Sequence, residues 1–275
     1  MVNTSDIEKV IALTLASAYV AGEKPASLMI VSDRPESGKT DIIKQFSGTQ
    51  GIAVISDMTA YAMWRDFGEA ISEGKIKHFI IPEFLAPMSR TSTAASFVAT
   101  LQMMIEEGLT EIHTGFLPPM KFDKPVTIGL IVCMPRNAFK SNRLGWEISG
   151  FLSRFVLSTY HYNDDTIASI FDSIVNRKYL QESKVHLNFT EATIDIPLAI
   201  AQKCRELAEE LTAQSRMDGK CYGFRELKNT LRFVSSMVIL DRATGSDRHE
   251  VNEADFEEIA RLSYLMNEEF NAVRS

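Results

Sequence analysis

The sequence predicts an α/β protein: a parallel-sheet core with helices on both faces, followed by a small all-helical unit. Three observations carry this prediction. Short apolar runs alternate with helix-patterned stretches as far as about residue 160, as crossover-connected parallel strands require. Beyond about Asn163 the pattern is helical, apart from the short run Val185-His186-Leu187. Between the first strand and its helix lies Ser37-Gly38-Lys39-Thr40, a composition suited to close backbone approach and phosphate binding.

Taken in order, Ser5 or Thr4 can cap an initial helix over residues 4–21, with Ile7, Val10, Ile11 and Leu15 at helical spacing and Gly22 and Pro25 closing it. Residues 26–31 form a continuous apolar run, the signature of a strand buried on both faces. A helix is expected over 41–46, a second strand over 51–55, a helix over 60–72 and a third strand over 77–81. A helix over 96–107, a fourth strand over 126–133 and a fifth over 156–160 complete the core. Helices are then expected over 164–180, 196–214, 224–242 and 252–270, the last with Asn252 and Asp255 in its first turn. The division falls near residue 163, giving a core of residues 1–163 and a helical unit of residues 164–275.

Composition narrows the function classes. The 275 residues are 45% hydrophobic and 24% charged, which is globular and excludes disordered or collagen-like chains. A net charge of -7 disfavours general adhesion to polyanions, so any nucleic-acid contact must be local. Cys133, Cys204 and Cys221 are widely spaced, and His78, His113, His161, His186 and His249 lack ligand spacing, which argues against a zinc site or a disulfide framework. A reducing, cytoplasmic setting is expected. The N-terminus lacks a basic leader region, and the apolar stretch over 10–20 is short and broken by Thr14 and Ser17, so no membrane association is expected.

The loop over 32–40 has the chemistry of a Walker-type phosphate loop: backbone amides face a polyphosphate, Lys39 reaches the terminal phosphates, and the Thr40 hydroxyl ligates Mg²⁺. The expected binding residues are Pro35, Glu36, Ser37, Gly38, Lys39, Thr40 and Asp41. The pattern G-x-x-x-x-G-K-[ST] asks for glycine at position 33, where this chain has Asp33. Two strands on, Phe79-Ile80-Ile81-Pro82-Glu83 places Glu83 where a carboxylate would orient the attacking water, with Pro82 where a magnesium-positioning Asp is usual.

Farther along, Leu101-Gln102-Met103-Met104-Ile105-Glu106-Glu107-Gly108 and Gly150-Phe151-Leu152-Ser153-Arg154-Phe155 resemble segments of the AAA+ ATPases, especially their MoxR-like and MCM-like branch. Tyr222 to Arg232 looks like that family's sensor-2 helix, and Val251 to Phe256 like the start of the lid's last helix. The resemblance implies a P-loop core with a helical lid, ATP and Mg²⁺ as cofactors, and Arg154 as a finger reaching a neighbouring subunit's nucleotide. It further implies that Arg225, with Arg232 in reserve, folds back onto the nucleotide. Met134 stands in the polar sensor-1 slot, leaving Asn137 to contact the attacking water from a shifted position. By the same resemblance the chain assembles with itself, as a hexameric ring or filament, and works on a partner protein or DNA. Lys121 and Lys124 are the cations near the hairpin expected over 109–122. Asp33, Pro82 and Met134 bear on hydrolysis more than on binding, so the alternative is a scaffold that uses ATP for assembly.

Overall fold

The computed structural model describes residues 5–32, 37–89, 92–113, 119–160, 162–177, 184–214, 222–243 and 247–266. The chain forms α1 (Ser5–Ala16), β1 (Leu28–Ser32), α2 (Lys39–Lys44), β2 (Ile52–Val54), α3 (Ala60–Ser72), β3 (His78–Ile81), α4 (Leu85–Met88) and α5 (Ala94–Gln102). A π-helical turn, Met103–Glu107, leads into β4 (Leu109–Ile112), β5 (Met120–Val126), β6 (Gly129–Pro135), α6 (Arg136–Ile148) and β7 (Val156–Ser158). Then follow α7 (Asp164–Val175), β8 (Thr193–Asp195), α8 (Leu198–Gln214), α9 (Phe224–Asp241), β9 (Arg248–Glu250) and α10 (Glu253–Leu262).

Five strands form one parallel sheet in the order β2-β3-β6-β1-β7, so the expected α/β class is the observed one. Side chains alternate across it. Leu28, Ile30, Ile80, Ile131 and Cys133 face a core shared with α1, α2 and the later helices. Met29, Val31, Phe79, Ile81, Leu130, Val132 and Met134 face a second core shared with α3, α5 and α6. Because both faces are covered, these strands read as unbroken apolar runs.

Local detail departs from the sequence expectation at identifiable places. The helix expected over 96–107 ends in the π turn, which closes at Gly108 with φ +80°, where a Cβ would lie 2.7 Å from the Pro125 ring. The strand expected over 126–133 is split between the end of β5 and all of β6, since hairpin β4–β5 pairs antiparallel outside the main sheet. The tip of that hairpin, 114–118, lies outside the described residues. Residues 185–187 run without regular strand structure, Val185 donating to the Gln45 carbonyl, whereas β8 and β9 pair in parallel although each is too short for a periodic signal. The helix expected over 164–180 is described to Val175, and 178–183 lie outside the described residues. The expectation for 252–270 resolves into a helix over Glu253–Leu262 with Asn252 and Asp255 in a reciprocal capping box.

The initial helix has a wider role than bordering one site. α1 packs along α9, and its Asp6 accepts two bonds from Arg261, at 2.9 and 3.0 Å, and one from the Tyr264 hydroxyl at 2.7 Å. Arg261 also binds Glu258 and draws that carboxyl down to about 2. The chain's first helix is thereby tied to its last.

His78 opens β3 and is buried, with a ring N–H donating to the Ala26 carbonyl at 3.1 Å. Gly129 makes room for it, since a Cβ there would lie 2.1 Å from the ring. Burial drives its pKa down to about 4, so the folded protein refuses a proton that the unfolded chain accepts near 6.5. Stability is therefore expected to be complete above that unfolded value and to fall as pH drops from 7 to 5. Urea midpoints at the two pH values test this, and His78→Gln should flatten the difference.

Candidate functional site

The loop after β1 leaves the carboxyl edge of the sheet where the chain reverses its direction across the sheet: β2, β3 and β6 lie to one side of β1 and β7 to the other. Such a reversal opens a crevice outside the strand ends. Asp33, Pro35 and Glu36 lie outside the described residues. Gly38 has φ +69°, and a Cβ there would sit 3.1 Å from the Tyr162 hydroxyl, so glycine serves both the turn and the close packing. Lys39 starts α2 and is buried, 8% exposed, with no ion-pair partner among the described residues. Asp41 is exposed in the first turn of the same helix.

Glu83 reaches this loop from two strands away. The Thr40 hydroxyl donates to Glu83 Oε1 at 3.1 Å. The neighbours of Glu83 explain its position: Pro82 and Phe84 are buried, so the chain turns with Glu83 alone facing outward, and the Phe84 amide donates to the Cys133 carbonyl at 3.1 Å. β6 thus stands between β3, which leads to Glu83, and β1, which leads to the loop. Cys133 Sγ lies 4.0 Å from the Lys39 carbonyl, and burial pushes its thiol well above the usual range, which makes it a packing group.

Two site residues escaped the sequence reading. Tyr160 and Tyr162, just past β7, both donate to the Ser37 carbonyl, at 2.7 and 2.6 Å. Burial raises both phenols, so they remain donors. A Tyr-x-Tyr pair following the last strand was the available signal, but only the pairing of β7 with β1 brings it to the loop. Changing both to phenylalanine removes two bonds of about 1 kcal/mol each, and a loss of up to about thirtyfold in affinity for an ATP analogue is expected with secondary structure unchanged. Titration with a fluorescent ATP analogue, alongside circular dichroism, measures it.

Met134 is fully buried in the second core, so the expected sensor position points away from the edge. Asn137 is exposed in the first turn of α6, beyond the end of β6, and its carbonyl accepts the Ser141 hydroxyl.

Arg154 and Arg225 occupy the opposite edge. Val156 pairs with Leu28, the first residue of β1, so Arg154 stands near the amino end of a strand whose far end carries the loop, on the order of 15 Å away at about 3.3 Å per residue. Arg154 binds Glu107 at 2.9 Å and the Gly150 carbonyl. Arg225 donates to Ser153 Oγ, so the expectation that it folds back onto this chain's own nucleotide is corrected: α9 runs along the amino edge. Lys228 faces Glu106 and Arg232 faces Glu23 along that same edge, at 4.0 and 3.6 Å. Lys121 and Lys124 are exposed on β5.

Among the described residues no helix is long and apolar enough to cross a membrane, and no His/Cys/Asp/Glu group is arranged to hold a metal by itself. No family model matches the chain, and no curated protein matches it. Among solved structures it is similar to a candidate ATPase from Cytophaga hutchinsonii, with a TM-score of 0.50, 12% identity, and coverage of 100% of this chain and 86% of that one. It also matches an active helicase, Cch of SCCmec type IV, with a TM-score of 0.40 and 12% identity over 86% of this chain and 43% of that one. At such identities the first likeness is one of fold: a parallel-sheet α/β core with helices around it.

Proposed function

We propose that this chain is an ATP-binding subunit of the AAA+ type, which assembles with copies of itself and couples ATP binding and hydrolysis to remodelling a partner protein or nucleic acid. One observation carries the reading: buried Lys39, the Thr40 hydroxyl and outward-facing Glu83 converge at the carboxyl edge of the sheet, with Thr40 and Glu83 in contact. The residues fit ATP with Mg²⁺. Lys39 is a mostly buried cation without a carboxylate partner among the described residues, a group that anionic oxygens would satisfy, and Ser37 Oγ is buried with no hydrogen-bond partner among the described residues.

Mg²⁺, when bound, would neutralise charge on the phosphate oxygens. Lys39 would donate to the terminal phosphates and Thr40 would hold the metal, which releases Glu83 to accept a proton from water. Tyr160 and Tyr162 hold the loop in place through the Ser37 carbonyl. Arg154 and Arg225 lie too far from their own loop to stabilise its phosphates, so in this reading they serve the nucleotide of an adjacent copy.

A second reading has its own support. Pro82 is buried and has no carboxylate, and Met134 is buried where a polar group is usual, so a non-hydrolysing scaffold that uses ATP for assembly is favoured by these two positions. Sizing with and without Mg-ATP, coupled to phosphate release, separates the readings. Assembly with turnover supports the ATPase, assembly without turnover the scaffold, and absence of ATP binding removes both.

A further inference from the structure

A cavity of about 250 Å³ lies where the segment before β1, the π turn and α9 meet. It is separate from the phosphate loop, since Gly22, Glu23 and Lys24 precede β1 and the loop follows it. Three segments remote in sequence build it. Gly22 turns the first with φ +81° and leaves room, because a Cβ there would meet nothing within 4 Å. The π turn sets Glu106 in the wall and aims its carbonyl at Lys24, whose ammonium donates to it. From α9 come Lys228 and Arg232, one turn apart on the same face.

The charges here do not cancel. Lys24, Lys228 and Arg232 stand against Glu23 and Glu106, which leaves positive charge in excess. Nor are the pairs tight: Lys228 lies 4.0 Å from Glu106, and Arg232 Nε lies 3.6 Å from Glu23, which is itself half exposed. Arg232 carries the inference. The residue is 8% exposed, its Nη1 donates to Asn229 Oδ1 at 3.3 Å, and its Nε is buried with no hydrogen-bond partner among the described residues. A guanidinium neither loses its proton nor accepts a bond, so an oxygen acceptor is what that N–H lacks.

We propose that this cavity binds a small oxyanion, a phosphate or carboxylate group on a molecule of low mass. Arg232 Nε–H donates to one oxygen, and Lys228 and the remaining N–H groups of Lys24 supply further donors. Glu23, being half exposed, turns to solvent as the ligand enters. Glu106 stays in the wall and favours a ligand that also offers a donor, as monohydrogen phosphate does. The volume falls below the roughly 300–1,000 Å³ of pockets that enclose drug-sized ligands, so the occupant is small. Because the cavity joins α9 to segments of the core, occupancy braces one against the other and raises the melting temperature. The site goes beyond the nucleotide reading and does not depend on it.

Calorimetric titration of the full chain with inorganic phosphate tests it, in a Lys39→Ala variant that silences the phosphate loop and in the unsubstituted protein alongside. Acetate is the second probe. The expected result in Lys39→Ala is one phosphate per chain with a Kd on the order of 1 mM, accompanied by a rise in melting temperature. Adding Lys228→Glu, at an exposed position, reverses the excess charge and should weaken phosphate by about tenfold with an unchanged circular dichroism spectrum. Arg232→Lys keeps the charge but removes the buried Nε–H, and a loss of about 30-fold is expected. Acetate bound and lost in the same two variants supports a site for oxyanions generally, and phosphate bound without acetate supports one for phosphates. No phosphate bound in Lys39→Ala, or binding that both variants leave unchanged, overturns the site. ATP titration of the unsubstituted chain reports on the loop separately, so failure of one reading leaves the other standing.

Discussion

Lys39→Ala is expected to remove ATP binding while leaving the fold intact. Lys39 is 8% exposed and has no ion-pair partner among the described residues, so its truncation breaks no ion pair of the free protein. In the ATP complex the same burial strengthens every bond it makes to phosphate. Truncating a desolvated, hydrogen-bonded charge typically costs about 2–5 kcal/mol, a loss in ATP affinity of about 30-fold to several thousandfold. Calorimetric titration with Mg-ATP measures the first effect and thermal unfolding of the free protein the second. Unchanged affinity would show that the polyphosphate is not held at this loop, whatever the sheet order suggests. A loss of affinity with a marked loss of melting temperature would assign Lys39 a structural role instead.

Glu83→Gln is expected to separate binding from turnover. The amide keeps an acceptor for the Thr40 hydroxyl, so the 3.1 Å contact survives and ATP affinity should stay within about threefold, the effect of losing charge at an exposed hydrogen bond. Proton acceptance is lost. General-base catalysis contributes about 10²- to 10⁴-fold, and phosphate release should fall by that order. Phosphate release unchanged in Glu83→Gln would remove this residue from the reaction. No release in the unsubstituted protein would favour the scaffold reading, for which Pro82 and Met134 already speak.

These two residues also show how unevenly the site was legible. Lys39 and Thr40 stand in a local pattern whose chemistry and spacing are complete within four residues, Ser37 to Thr40, so the sequence alone locates them. Glu83 follows a short apolar run, a weak signal by itself, and its meaning depends on β3 and β1 flanking β6. Tyr160 and Tyr162 carry no local mark of their role, because a donor to a loop carbonyl is defined by the loop it meets. Arg225 illustrates the reverse case. Its helix is readable over Phe224–Asp241, but which sheet edge that helix borders is not, and it borders the amino edge.

The sequence by itself determined the α/β class, the run of buried strands, most of the helices after residue 163 and the place of Ser37-Gly38-Lys39-Thr40 between a strand and a helix, because hydrophobic period and turn chemistry act over a few residues. Tertiary structure alone decided that Glu83 touches Thr40, that two tyrosines hold Ser37, that Met134 is core, and that the arginines stand at the far edge from Lys39. Those relations follow from strand order and from which side chains the two cores bury. Both are settled by packing between segments remote in sequence, and no local pattern encodes which remote segment a strand end will meet.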